Sequence, residues 1–252
     1  TTRKHRSDLL FNIMPVSGAV NEADKPISAW DQELEIAHPY YYSTWLEDYN
    51  IVTEFTPAAQ AGIFKFTYQN KDTRKLFLSD LSGDDWQLNE NGALTGTESF
   101  EGMLGYVYAV TDKKGVFTSI ETTENTLNSW ITWNDSNINQ VQFKYGISFI
   151  SSEQAKKNLE REIPDFNFDN VKEKAREKWS IVLDQIEVEG GSEAYKRTFY
   201  TALYRSYERM INITEDGTYY SNYDQKVHEG EQDFYADDWV WDTFLALHPL
   251  RY

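Results

Sequence analysis

EGGSEAYKRTFYTALYRSYERM, residues 189–210, is where the chain changes its period. Tyr195, Phe199, Ala202, Ser206 and Met210 recur at spacings of four, three, four and four, which lays them along one stripe of a helix. A second helix is expected to start near Asp237 or Asp238, since either carboxylate can cap first-turn amides. It would carry Trp241, Phe244, Leu245 and His248 until Pro249 limits its continuation. A helix of roughly ten residues cannot bury several large aromatics by itself, so another body of protein is expected to cover it.

Upstream of this stretch the period is two. AGIFKFTY, residues 61–68, sets Ile63, Lys65 and Thr67 on one face and Phe64, Phe66 and Tyr68 on the other. Tyr40 to Phe55 reads as a hairpin bent at Glu47-Asp48, with Asn50 suited to the bend. A first strand is expected within Ser7–Val16, ending at Pro15 and the Ser17-Gly18 turn. Further strands are expected at Arg74–Leu81, Gly102–Val110, Val116–Glu121, Ser129–Trp133 and Gln140–Ile150. Turns are expected at Gly83–Asp85, Asn91-Gly92 and Asp112–Gly115. Short strands with turns at this spacing predict a β-sandwich, with a barrel as the alternative.

Between the two regimes lie helices. Ser151 or Ser152 can cap a short one that includes Ala155 and Leu159, with Ser151 and Gln154 in capping-box register, and IPDFNFD breaks it. Asn170 and Glu173 are spaced as a second capping box, followed by Val171, Ala175, Trp179, Val182 and Ile186 at helical spacing. Gly190-Gly191 closes that helix. The expected organisation is a β-sandwich over 1–150, a helical linker over 151–191 and a helical domain beginning at 192 and running to 252.

Composition narrows the function. With 252 residues, the chain has ample length for a large core, and its net charge of -17 speaks against nucleic acid and anionic membranes as partners. The absence of cysteine removes disulfides and Cys-ligated zinc or iron–sulfur sites. No apolar run reaches the roughly 20 residues of a membrane-spanning helix, and Thr1–Ser7 is not a complete signal peptide. The 17 Tyr, 8 Trp and 14 Phe serve mostly as core, but rings also stack on the apolar faces of neutral sugars.

Asp237, Asp238 and Asp242 are the first candidate site residues. If the helix begins at Asp238, the macrodipole favours Asp238 and Asp242 as anions, which suits Asp242 to accepting hydrogen bonds rather than donating a proton. Capping and surface charge are the plainer use. Trp239 and Trp241 flank these carboxylates, where one ring can wall a pocket while the other packs inward. His228, in a polar loop after Lys226-Val227, is read either as a ligand contact or as ordinary surface, and His38 and His248 share that ambiguity. No EF-hand loop, HExxH, GxSxG, P-loop or GxGxxG motif occurs, so a calcium site would need ligands from elsewhere.

Three segments together carry a family resemblance: YKRTFYTALYRS (195–206), YYSNYDQKVH (219–228) and DDWVWDTFLALHPL (237–250). They resemble family 92 glycoside hydrolases, the calcium-dependent exo-acting α-mannosidases. SDLLFNIMPVSG, AHPYYYSTWLEDYNI, GISFISSEQAKKNLEREIPDFNFD and VKEKAREKWSIVLDQIEVEGG extend the likeness over nearly the whole chain. The resemblance implies an amino-terminal β-sandwich joined by helices to an (α/α)6 catalytic barrel, of which residues 192–252 form the beginning.

It further implies inverting hydrolysis of terminal α-mannosides, α-1,2-linked, with a calcium ion as cofactor and mannose-containing glycans as partners. Asp242 falls where the family has a carboxylate on the terminal sugar, with Trp241, His228, Asp237 and Asp238 as substrate-binding neighbours. The family's general acid and base are expected downstream of Tyr252, so neither role is assigned here, and the calcium ligands are left open. This chain alone is therefore expected to be inactive, to need the remainder of the catalytic domain, and to act in the periplasm or outside the cell. The alternative is a noncatalytic carbohydrate-binding sandwich with a helical interaction tail, and a third reading is a domain used only for assembly.

Overall fold

The computed structural model describes residues 11–79, 86–100, 103–122, 127–207, 210–236 and 247–251. The chain divides into two compact units, Thr1–Ala175 and Arg176–Tyr252.

The first unit is antiparallel β-structure followed by helix. Its strands among the described residues are β1 (Asn12–Ser17), β2 (Ile36–His38), β3 (Tyr41–Leu46), β4 (Ile51–Pro57), β5 (Ala61–Tyr68) and β6 (Arg74–Ser79). They continue with β7 (Gln87–Leu88), β8 (Leu94–Phe100), β9 (Met103–Thr111), β10 (Val116–Glu121), β11 (Leu127–Trp133) and β12 (Gln140–Ser148). One sheet runs β1-β6-β11-β10, the other β2-β3-β4-β5-β12-β9-β8-β7. Both are open-ended, which makes a sandwich and settles the choice against a barrel.

The alternation in β5 shows why. Phe66 and Tyr68 point into the inter-sheet core with Leu76, Leu78, Ile131, Trp133, Val141 and Phe143. Ala61 and Ile63 point the opposite way, into a second core with Leu159, Ile163, Phe168 and Val171. The layers are therefore small sheet, large sheet and helices, and β5 is covered on both faces. Ile63 and Leu159 are 0% and 1% exposed, and burying such a side chain contributes roughly 1.5–3 kcal/mol.

Most turn expectations hold. Asn50 takes the left-handed conformation at φ 53° after a 3-10 turn over Glu47–Tyr49. At Asn91-Gly92, Gly92 has φ 79° and Asn89 Oδ1 accepts from the amides of Asn91 and Ala93. The Asp112–Gly115 turn carries the chain from the large sheet to the small one. The expected Gly83–Asp85 turn lies outside the described residues. The first strand does not end at Pro15 but runs to Ser17, with Pro15 opposite Leu76. β1 is an edge strand, where a proline's missing amide need not face a neighbour.

α1 (Ser152–Glu162) and the first turn of α2 (Phe168–Leu183) cover part of the outer face of the large sheet. α1 is capped by Ser151, whose Oγ accepts from the Gln154 amide at 3.1 Å. α2 starts earlier than Asn170: Asn167 is its cap, with Oδ1 accepting from the Asn170 amide at 3.1 Å. Phe168 and Val171 are buried against the sheet, and their packing fixes the start of the helix. Three lysines meet rings around this linker: Lys65 lies 4.4 Å from the centre of Phe168, Lys144 4.8 Å from Phe166 and Lys172 3.5 Å from Tyr41. Lys144 Nζ also donates to the Ile163 carbonyl at 2.6 Å, at the end of α1, and burial lowers its pKa.

In the second unit, Gly190 and Gly191 take positive φ and Ser192 caps α3 (Glu193–Ser206). The expected stripe is rotated from the packed one: Tyr195 is 74% exposed and Leu203 is buried. Phe199, Tyr200 and Tyr204 are half-buried beside Leu203, and Ala202 is exposed. Tyr204 and Tyr207 pack on Trp179, with ring centres 5.0 and 6.5 Å away, and this contact selects the buried side. The helix ends at Ser206, so Met210 lies beyond it.

The unit is also not purely helical after α3. β13 (Ile211–Asn212) pairs with β16 (Tyr235–Ala236), and inside that pair β14 (Thr218–Ser221) pairs with β15 (Lys226–Glu229). Asp216, Gly217 and Gln225 adopt positive φ at the bends. A last helix, α4 (Leu247–Arg251), contains Pro249 rather than stopping at it.

Candidate functional site

Of the sequence-predicted site residues, Asp237, Asp238, Trp241 and Asp242 lie outside the described residues, as does Trp239. His228 is described, and it is in a strand rather than a polar loop. It occupies β15 directly opposite Tyr219 on β14. The rings of Tyr219 and His228 are stacked at 5.5 Å and 22°. On Tyr219 also lies Phe234, 4.1 Å away and within 1° of parallel.

The hairpin turn brings a carboxylate to His228. Its Nε2 lies 3.0 and 2.9 Å from the two oxygens of Asp224. The hydrogen bond from His228 holds the Asp224 carboxyl below its ordinary range, and a further bond from Ser221 acts in the same direction. Both partners are open to solvent, with side chains 38% and 35% exposed. Tyr223, at the tip of the turn, is 99% exposed. The hairpin thus presents a carboxylate acceptor, an imidazole and an exposed phenol ring together, a set able to hydrogen-bond hydroxyls and stack on an apolar ring face.

Asp224, Tyr219 and Phe234 are the residues that sequence reasoning missed. The placement of Asp224 four residues before His228 was the available signal. Glu215, 2% exposed, is a buried carboxylate where the hairpin begins, and its amide and carbonyl bond back to Thr218. His248 lies in α4 and is half-buried, while His38 lies in the edge strand β2, stacked on Tyr40 at 5.3 Å. Among the described residues no cluster of three or more His, Asp and Glu side chains is placed to hold a metal ion.

A β-sandwich that continues through a helical linker into a helix-led domain defines the architectural class. Residues 6–148 match the N-terminal domain of glycosyl hydrolase family 92, and residues 154–252 match the catalytic domain of the same family. The chain belongs to glycosyl hydrolase family 92.

Solved structures share its fold. A family GH92 inverting mannosidase from Bacteroides thetaiotaomicron superposes with a TM-score of 0.83 at 24% identity, over 95% of this chain and 36% of that one. A family GH92 α-mannosidase from the same organism gives 0.83 at 23% identity, over 95% and 37%. An uncharacterized secreted glycosidase of Arthroderma benhamiae is 41% identical over 71 residues, 27% of this chain and 9% of that protein. The chain spans little more than one third of the solved relatives' length.

Proposed function

We propose that the chain is part of an exo-acting α-mannosidase that hydrolyses terminal α-mannosides, α-1,2-linked, with inversion at the anomeric carbon. The observation that carries this reading is the match of both family domains, in order, along one chain. The relatives' descriptions as an inverting mannosidase and an α-mannosidase supply the substrate class. The proposed organisation is a sandwich over 1–150, a linker over 151–191 and the opening of the catalytic domain from 192.

In this reading Asp242 accepts hydrogen bonds from the hydroxyls of the terminal mannose. Trp241 walls the sugar, and Asp237, Asp238 and His228 shape the pocket, with Asp224 holding the imidazole of His228 in place. Inversion requires an acid and a base roughly 6.5–9.5 Å apart, leaving room for water. Those two carboxyls and the calcium ligands come from sequence beyond the described residues, and the isolated 252-residue chain is inactive. Calcium, where bound, orients the neutral sugar through its oxygens. The enzyme works in the periplasm or outside the cell, in keeping with the secreted relative. No helix among the described residues is long and apolar enough to cross a membrane.

The test uses the full-length protein on α-1,2-, α-1,3- and α-1,6-linked mannobioses, following the first-released anomer by NMR. β-Mannose from the α-1,2 substrate is expected, with loss on chelation and recovery on adding calcium. Asp242→Asn should lower kcat/KM by roughly ten- to a hundredfold, the worth of a charge-assisted hydrogen bond of about 1.5–3 kcal/mol. Undiminished turnover in that variant, or α-mannose as first product, sinks the assignment.

A further inference from the structure

The helical linker covers only part of the large sheet's outer face. Residues paired across antiparallel strands share a face, and Tyr41, packed with the linker core, marks that face as the outer one on β3. Two positions along β3 is Ser43, which leads a row through Glu54, Lys65 and Gln142. Two further is Trp45, which leads a row through Val52, Thr67 and Gln140. None of the residues in the second row is buried. The strip crosses three strand spacings, about 14 Å in all.

One end of the strip is an aromatic platform. Trp45 is 38% exposed, and its indole Nε1 donates to Asn50 Oδ1 at 3.2 Å, which fixes the ring's direction. The other end deepens into an open depression of about 520 Å³ lined by Lys65, Gln140 and Gln142 together with Asp165–Asp169, where the chain enters α2. Gln142 Oε1 is shielded from solvent and finds no hydrogen-bond partner among the described residues. Its backbone amide is already held by Asp112 Oδ1 at 2.7 Å.

The strip's own charges form one ion pair. Lys65 is paired with Glu54 at 2.8 Å, and Lys144 beside the depression feels Asp165. What a ligand meets is amide and hydroxyl groups with one fixed indole, and in the depression the carboxylates of Asp165 and Asp169, acceptors that suit the hydroxyls of a neutral polyhydroxylated molecule. A protein partner is a poor match, because the centres of protein interfaces are depleted of charged residues and this strip has an ion pair in its middle row.

We propose that the outer face of the large sheet, from Trp45 to the depression at Gln140 and Gln142, is an ancillary binding groove for a neutral glycan strand. One sugar stacks on Trp45 and the strand crosses Val52 and Thr67. Its hydroxyls meet the amides of Gln140 and Gln142 at the far end. The groove lies wholly within the first unit and does not rest on the mannosidase reading.

The test is affinity electrophoresis of the full-length protein through gels containing soluble α-mannan or soluble xylan. The parent should be retarded by at least one polymer. Trp45→Ala and Gln142→Ala should each weaken that retention about tenfold, with kcat/KM on a small aryl α-mannoside and the Tm unchanged. A parent with no aryl mannosidase activity would refute the function proposed above while the retention result still judged the groove. Absence of retardation in both gels overturns the proposal, as does equal retardation of parent and variants. A lowered Tm or altered oligomeric state with unchanged retention also overturns it, showing that more of this chain or a second copy covers the strip.

Discussion

Replacing Gly146 by alanine tests the three-layer arrangement at its tightest point. Gly146 sits on β12 directly beneath α1. A Cβ there would fall 2.8 Å from Leu159 Cβ and 2.9 Å from Leu159 N, and would run into the Ala155 carbonyl. These are backbone and Cβ atoms, which no rotamer change moves, so the helix itself must lift. Overpacking costs about 1–3 kcal/mol, and lifting also uncovers part of Leu159, whose complete truncation would cost about 2–5 kcal/mol. A loss of about 2–3 kcal/mol is expected, read as the shift of the urea midpoint followed by tryptophan fluorescence. Gly96→Ala is the matched control: its new Cβ would be 3.4 Å from Trp86 Cε3, an ordinary contact. In a strand that change should be neutral or stabilise by up to about 1 kcal/mol. The reasoning is refuted if Gly146→Ala unfolds at the parent midpoint, or if both substitutions cost the same.

Two titrations follow. Burial pushes Tyr145 up to about 12 from an ordinary value of 10.0. The folded protein keeps this proton while the unfolded chain gives it up, so stability falls as pH rises from 10 to 12, by about 3 kcal/mol in total. Tyr145→Phe should flatten that part of the stability–pH curve measured by urea unfolding, and an unchanged slope contradicts the assignment. Asp224 has the opposite sign: its carboxyl is held low by His228, so its contribution is intact above the ordinary carboxylate range and disappears as pH drops through the lower folded value. His228→Ala should raise the Asp224 titration seen by carbon-13 NMR, and a carboxyl that titrates where it did before would show that the pair is not formed.

What the sequence disclosed depended on how much of each element's fate is local. β5 was legible because its alternation serves two cores at once, and Asn50, Asn91-Gly92 and Ser151 because a turn or cap is decided within a few residues. The start of α2 was misread because Asn167 and Asn170 both have capping chemistry, and the burial of Phe168, a tertiary matter, chose between them. The buried side of α3 was decided by Trp179, more than ten residues upstream, so periodicity alone could not orient it. The nested hairpins escaped notice because their strands are two to four residues long, too short for a period of two to register. That in turn put His228 in a loop and concealed Asp224. The family was legible from ordered motifs, while the roles given to Asp237, Asp238, Trp241 and Asp242 remain assignments by resemblance.

The lysines that meet Phe166, Phe168 and Tyr41 have a bearing on where such a protein can work. Exposed ion pairs weaken as dissolved electrolyte screens them, but an ammonium lying over a ring, shielded as Lys144 is at 6% exposure, is largely out of reach of mobile ions. The hold of the linker on the sheet should therefore persist from dilute fresh water to brine, and the apolar contacts of Leu159 and Ile163 beside it tighten where the added salt is kosmotropic, as sulfate is.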